Sequence, residues 1–291
     1  MVVLHTLNAG TAGISGKLAF SSGTTSKGNS GEILIGSGAA TSGRGGKVVI
    51  SVGSGVSGSG GDMLLAAGLS TSKTGGSILM MSGFGTTTTS GSVTIKTLNA
   101  GTAGTSGKLV FSTGTTSSGN SGDILIGTGA ATGGVSGSVS VAVGSSSSGS
   151  GSDLFMAAGD SAGTTGGAVR LASGFGSTST SGSVVITSVN AGTAGISGKL
   201  AFSTGTTSKG NSGEILIGSG IATSGRGGAV TVSVGNGLSG TGGTMKVSAG
   251  VSTTRTGGDV SLFSGAGSAT SSGIVLVKSA NAGTAGISGK L

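Results

Sequence analysis

Residues 16–30 read GKLAFSSGTTSKGNS and residues 31–45 read GEILIGSGAATSGRG. Each stretch begins with Gly, sets large apolar side chains at its third and fifth positions (Leu18 and Phe20, Ile33 and Ile35), and runs out in Gly, Ser and Thr. Apolar residues two apart, with β-branched enrichment, predict a short strand with one face covered. The small polar run that follows predicts a turn. The phase then holds: Val48, Met63, Ile78 and Val93 stand third, and Ile50, Leu65, Met80 and Ile95 stand fifth. The sixth unit, GSVTIKTLNAGTAGTS from Gly91, has 16 residues where the others have 15, and the extra one lies in LNAGTAG. Six units therefore make a 91-residue block. NAGTAGISGKL accordingly recurs at 8–18, 190–200 and 281–291, with Thr105 replacing Ile in the copy at 99–109.

A unit of one strand and its turns cannot cover its own apolar face, so neighbouring units are expected to stack. The fold class expected is all-β, a parallel β-solenoid (β-helix) of about nineteen coils, forming one domain over 1–291 with super-repeats at 16–106, 107–197 and 198–288 flanked by partial coils. Coils spaced as neighbouring strands are would give a rod on the order of 90 Å long. Gly at the first and eighth positions fits corners that need positive φ or close backbone approach, and the absence of Pro leaves every amide free to bond. A trimeric shaft with a 15-residue triple β-spiral repeat is the rival geometry. It calls for large apolar residues on both arms of the unit, whereas the second arm here is nearly all Ser, Thr, Ala and Gly.

Composition agrees with an ordered array. The 291 residues include 68 Gly and no Pro, Cys, Trp or Tyr. Collagen needs Gly at every third residue together with imino acids, and disorder does not hold paired aliphatic residues at fixed phase. The fourth position carries a further apolar column, Leu34, Val49, Leu64, Leu79 and Leu125 among others, interrupted by Arg170 and Lys246. Apolar residues on the outer face predict either a mildly apolar exposed sheet or a contact with a homodimer mate or fibre neighbour.

Catalytic chemistry finds little to work with. There is one His, His5, and seven acids: Glu32, Asp62, Asp123, Asp153, Asp160, Glu214 and Asp259. Most acids stand at the second position of different units, so no acid/base pair or nucleophile triad can be assembled, and a non-enzyme without metal or cofactor is expected. GSGGD at 58–62 faintly resembles a calcium-binding β-roll repeat, but its Gly-Asp ladder does not recur, so a turn with a solvated Asp is expected. A formal charge of +8 raises nucleic acid as a partner, and SGRGG at 42–46 recurs at 224–228. Two copies without stacking aromatics argue against it. No apolar run reaches membrane-spanning length, and MVVLHTL is too short for a signal peptide. The chain opens within a sixth unit and stops two residues after Gly289, as a segment of a longer repeat protein would.

The remaining regularity is the eleventh position, which includes Thr41, Thr71, Thr86, Thr132, Thr223 and Thr253, with Val56 and Leu238 as apolar exceptions. On stacked coils this file points inward as a structural ladder or outward as a hydroxylated face. If it points inward, the outward surface of the second arm includes Thr25, Ser42, Ser72, Thr87, Thr89, Thr178 and Thr180. Tandem Gly-Ser-Thr repeats in the rhythm SGxIxIxSGxxT resemble repeat-type ice-binding (antifreeze) proteins, and are similar to those of polar microalgae, over the whole chain. The resemblance implies a secreted protein, without cofactor or catalysis, that adsorbs to ice or ordered water through a flat Ser/Thr/Ala face and inhibits ice growth or recrystallisation. This chain departs from insect ice-binding solenoids in lacking a strict Thr-x-Thr on every coil and in lacking disulfides. The alternative expectation is a structural or adhesive fibre shaft, of a tail-fibre, cell-wall or surface repeat protein.

Overall fold

The structure, a computed structural model, describes residues 2–290. It divides into two units, Met1–Ala142 and Val143–Leu291. In the first unit a turn at 10–13 is followed by three-residue bends at 26–28, 41–43, 56–58, 71–73, 86–88, 102–104, 117–119 and 132–134. Bends in the second unit begin at 147, 162, 177, 193, 208, 223, 238, 253, 268 and 284. Each of these bends opens on the eleventh-position file, counted with the sixth unit's extra residue. The Gly, Ser and Thr clusters thus turn the chain where their composition predicts.

Between the bends the expected strands do not form. Among the described residues there is neither helix nor strand, so the chain is not an all-β parallel β-solenoid or β-helix. A threonine ladder on stacked coils goes with that correction. The hydrogen bonds show why. In the first unit Gly76 N–H donates to Gly68 C=O and Gly91 N–H to Gly83 C=O, both at 2.9 Å. In the second unit Gly167 donates to Gly159 and Gly182 to Gly174 at 2.9 Å, Gly258 to Gly250 at 3.0 Å and Gly273 to Gly265 at 2.8 Å. Each bond runs from a first-position amide back to the eighth-position carbonyl of the preceding unit. A stacked coil bonds to its equivalent one full repeat away; here the bonded loops, those of the fourth and fifth coils in every block and of the third coil in two, close on themselves.

The apolar columns are consequently uncovered. Leu18 is 52% exposed and Phe20 65%, and the equivalent Leu200 and Phe202 in the second unit are 50% and 66%. No hydrophobic side chain is buried among the described residues. A solenoid encloses its core between two arms, but here the small-residue arm folds back into its own loop and leaves nothing opposite positions three and five. The accessible surface is 28638 Å². A folded monomer of 26.5 kDa exposes about 11,000 Å² and its unfolded chain about 38,000 Å².

First-position glycines serve close approach, as expected. A Cβ on Gly31 would lie 3.4 Å from Ser22 Cβ, and one on Gly76 would lie 3.3 Å from Ala67 Cβ, so the seventh-position side chain sits over the next unit's Gly. Positive φ occurs elsewhere, on the third residue of the first coil's bend, Gly28 at 123°, Gly119 at 105° and Gly210 at 126°, and of the sixth coil's bend, Gly104 at 133°, Gly195 at 131° and Gly286 at 151°. Only glycine adopts that backbone without strain.

Candidate functional site

The loops are where the chain presents polar groups, and they come in a few designs that recur in two or all three blocks. In the fourth coil a tenth-position serine accepts from the backbone at the end of the bend: Lys73 N–H to Ser70 Oγ at 3.0 Å, Thr164 N–H to Ser161 Oγ at 3.0 Å, Arg255 N–H to Ser252 Oγ at 2.9 Å. This is a local side-chain turn of the kind Ser and Thr offer in competition with regular structure. In the third and fifth coils the tenth position is mostly Gly, and two carbonyls converge on it. A Cβ on Gly85 would lie 2.7 Å from Thr89 O and 2.8 Å from Thr88 O, and one on Gly176 would lie 2.7 Å from Thr180 O. In the second coil the seventh-position serine reaches across instead, Ser37 Oγ donating to Gly46 O and Ser219 Oγ to Gly228 O, each at 2.9 Å.

The candidate ice-facing residues fall on these loops. Thr41, Thr71, Thr86, Thr132, Thr223 and Thr253 open bends; Ser42, Ser72, Thr87 and Thr178 stand at bend centres; Thr89 and Thr180 follow bends directly. Thr25 precedes a bend and accepts from Lys27 N–H at 3.3 Å. All thirteen are exposed. The eleventh-position file is exposed as well, including Val56 at 101% and Leu238 at 99%. The structure distributes the thirteen over eight loops, and the side-chain hydrogen bonds of Thr25 and of neighbouring loop residues stay within a loop. It does not join them into one continuous face.

Sequence reasoning missed the tenth-position glycines, Gly55, Gly85, Gly176, Gly237 and Gly267, whose missing side chains let carbonyls converge. Their recurrence at one phase is the signal that marks them. It also missed the basic character of the bends: Lys27, Lys73, Lys209 and Arg255 all stand within them.

Other chemistry is sparse. Among the described residues no group of three or more His, Cys, Asp and Glu could hold a metal ion, and no helix is long and apolar enough to cross a membrane. A shallow concavity of about 400 Å³ is lined by Phe20, Ile33, Leu34 and Ile35. It is apolar and offers no group that could move a proton. The fourth-position column is exposed, Val49 at 66%, Leu34 at 88% and Leu125 at 90%. No family model, curated protein or solved structure matches the chain.

Proposed function

We propose that the chain is a structural repeat protein, a fibre-shaft or surface-repeat segment that acts by spacing or carrying, outside the cell, rather than by catalysis. One observation carries this reading: the same loop designs return at the block interval in both units, so the polar groups are distributed along the chain and no position is set apart as a site. Function spread evenly over a repeat is a function of length. Chains carrying two, three and four 91-residue blocks test it by electron microscopy. Particle length should rise in proportion to block number; particles of unchanged length overturn the reading.

Ice adsorption is the second reading, favoured by the exposed hydroxyls that begin or centre bend after bend. It now rests on loop tips and not on a face of stacked coils. A single ice crystal grown in dilute protein distinguishes the two. Faceting and a freezing gap support ice binding, and round discs support the structural role.

A further inference from the structure

We propose that the hydrophobic core of this protein is built between copies of the chain, through the third- and fifth-position columns. This deepens the structural reading and rests on it for its purpose, though not for its physics.

Three observations carry it. The first is area. The described chain leaves 28638 Å² accessible, an excess of about 18,000 Å² over a folded monomer of this mass. Obligate interfaces bury about 2,000–5,000 Å², so a partner docking on one patch would leave most of that excess in water. The covering has to run the length of the chain.

The second observation is register. The chain holds eighteen complete units, each an internal comparison for the others. Third and fifth positions are large and apolar in every one, from Leu18 and Phe20 to Val275 and Val277. The fourth position admits Thr94, Ser140, Arg170 and Lys246. Charge is thus tolerated on one side of this segment and absent from the other. The side that excludes charge is the side that becomes buried. This places the core on the third and fifth columns and leaves Leu34 and Leu125 at its periphery.

The third observation is period. A covering surface must offer apolar groups every 15 residues with one added residue per block. A second copy of this chain meets that requirement by construction, because whatever spacing one copy adopts the other shares. The loops keep the assembly side open: those of the third to fifth coils close on their own eighth-position carbonyls, and among the described residues no backbone hydrogen bond outside regular structure engages the amides and carbonyls of the third to fifth positions. Those groups, once covered, need partners, and a neighbouring copy supplies them as well as the apolar surface.

The test uses the full chain. Sedimentation equilibrium across a wide dilution series should give an integer multiple of 26.5 kDa, and far-ultraviolet circular dichroism should gain strand signal in step with mass. Ile126→Lys, at a fifth position, should raise the midpoint concentration for assembly about a hundredfold or more, since it buries an unpaired charge. Leu125→Lys, its neighbour at a fourth position, should leave the midpoint within a few-fold. A monomer at every concentration overturns the proposal, whether its spectrum is irregular or that of a folded domain. An assembly that tolerates Ile126→Lys overturns the assignment of the face even if the mass is a multiple. The two readings fail separately: an assembled chain that facets ice sinks the structural role and leaves the intermolecular core standing, and a monomer sinks the core whatever it does to ice.

Discussion

In residues 53–61 and 235–243 the third coil's loop is closed by a backbone bond, Gly61 N–H to Gly53 O at 3.3 Å and Gly243 N–H to Gly235 O at 3.2 Å. Residues 144–152 occupy the same place in the middle block, and no such backbone bond closes their loop. The middle sequence differs from both others at three positions: the tenth is Gly55, Ser146 and Gly237 in the three blocks, the eleventh is Val56, Ser147 and Leu238, and the closing position is Gly61, Ser152 and Gly243. A small eleventh residue is compatible with closure, since the fourth coil closes with Thr71, Ala162 and Thr253 there. The fourth coil also decides between the other two. It has Ser70, Ser161 and Ser252 at the tenth position and still closes, at 2.9, 2.9 and 3.0 Å. Ser146 makes the same local bond, accepting from Gly149 N–H at 2.9 Å. A tenth-position serine is therefore compatible with closure. The difference lies at Ser152, whose Cβ stands where Gly61 and Gly243 leave room for a seventh-position valine: a Cβ there would lie 2.6 Å from Val52 Cγ1 and 2.5 Å from Val234 Cγ1. Val143 holds that position in the middle block. One methylene-sized obstruction is enough to open a loop that has a single bond to close it.

The sharpest way to break the comparison is Gly55→Ala. Its Cβ would lie 2.5 Å from Ser59 O, and a backbone carbonyl cannot swing aside as a side-chain tip does. Overpacking of this kind costs about 1–3 kcal/mol. Alanine brings this Cβ without the hydroxyl by which Ser70 and Ser161 rebuild the bend, so the loop at 53–61 should open, and exchange of the Gly61 amide with solvent should speed up to match that of Ser152. Unchanged protection at Gly61 would mean that the carbonyl cradle at the tenth position is incidental to closure.

These positions also show what could be read before the structure. The period, the bends and the need for Gly at the first position are local matters, decided by residues a few places apart, and Gly, Ser and Thr announce them. Which acceptor a first-position amide chooses is different. Gly76 can bond eight residues back to Gly68 or to an equivalent position one repeat away, and the repeat is identical in both cases. Leu18 and Phe20 pose the same ambiguity, because an apolar column looks alike whether its own chain or another copy covers it. Among the candidate residues, Thr87 and Thr178 are exposed, but so are Thr86 and Ser177 beside them, so residue type alone does not separate an outward set. The convergence of the Thr89 and Thr180 carbonyls on Gly85 and Gly176 was not legible either, since it involves backbone atoms that side-chain identity does not encode.

A subtler experiment restores the missing bond. Ser152→Gly should let residue 152 donate to Gly144 O at the spacing of the other blocks. The added bond contributes about 0.5–1.5 kcal/mol, and the extra backbone freedom of glycine in the unfolded chain offsets about 0.4–1 kcal/mol. Net stability should therefore hardly move, while exchange at the residue 152 amide slows. The reciprocal change, Gly61→Ser, should speed exchange at residue 61. If Ser152→Gly leaves the middle loop open, the obstruction is not the serine Cβ.

The smallest effect concerns the valine itself. Where the seventh position is Ala67 the closing bond measures 2.9 Å, and where it is Val52 the bond measures 3.3 Å, with the fourth coil's Ala158 and Ala249 again accompanying 2.9 and 3.0 Å. The branched side chain overhangs the closing glycine and holds its amide away from the carbonyl. Val52→Ala should bring Gly61 toward the shorter spacing, with a stability change under about 1 kcal/mol because the bond is improved and not created. A scalar coupling measured across the Gly61–Gly53 hydrogen bond reads the change directly and should rise to the value found at Gly76–Gly68. A coupling that stays where it was would clear the valine of crowding. The open loop at 144–152 would then have to be traced to the hydroxyl of Ser152, which competes for backbone partners, and not to the volume of its Cβ.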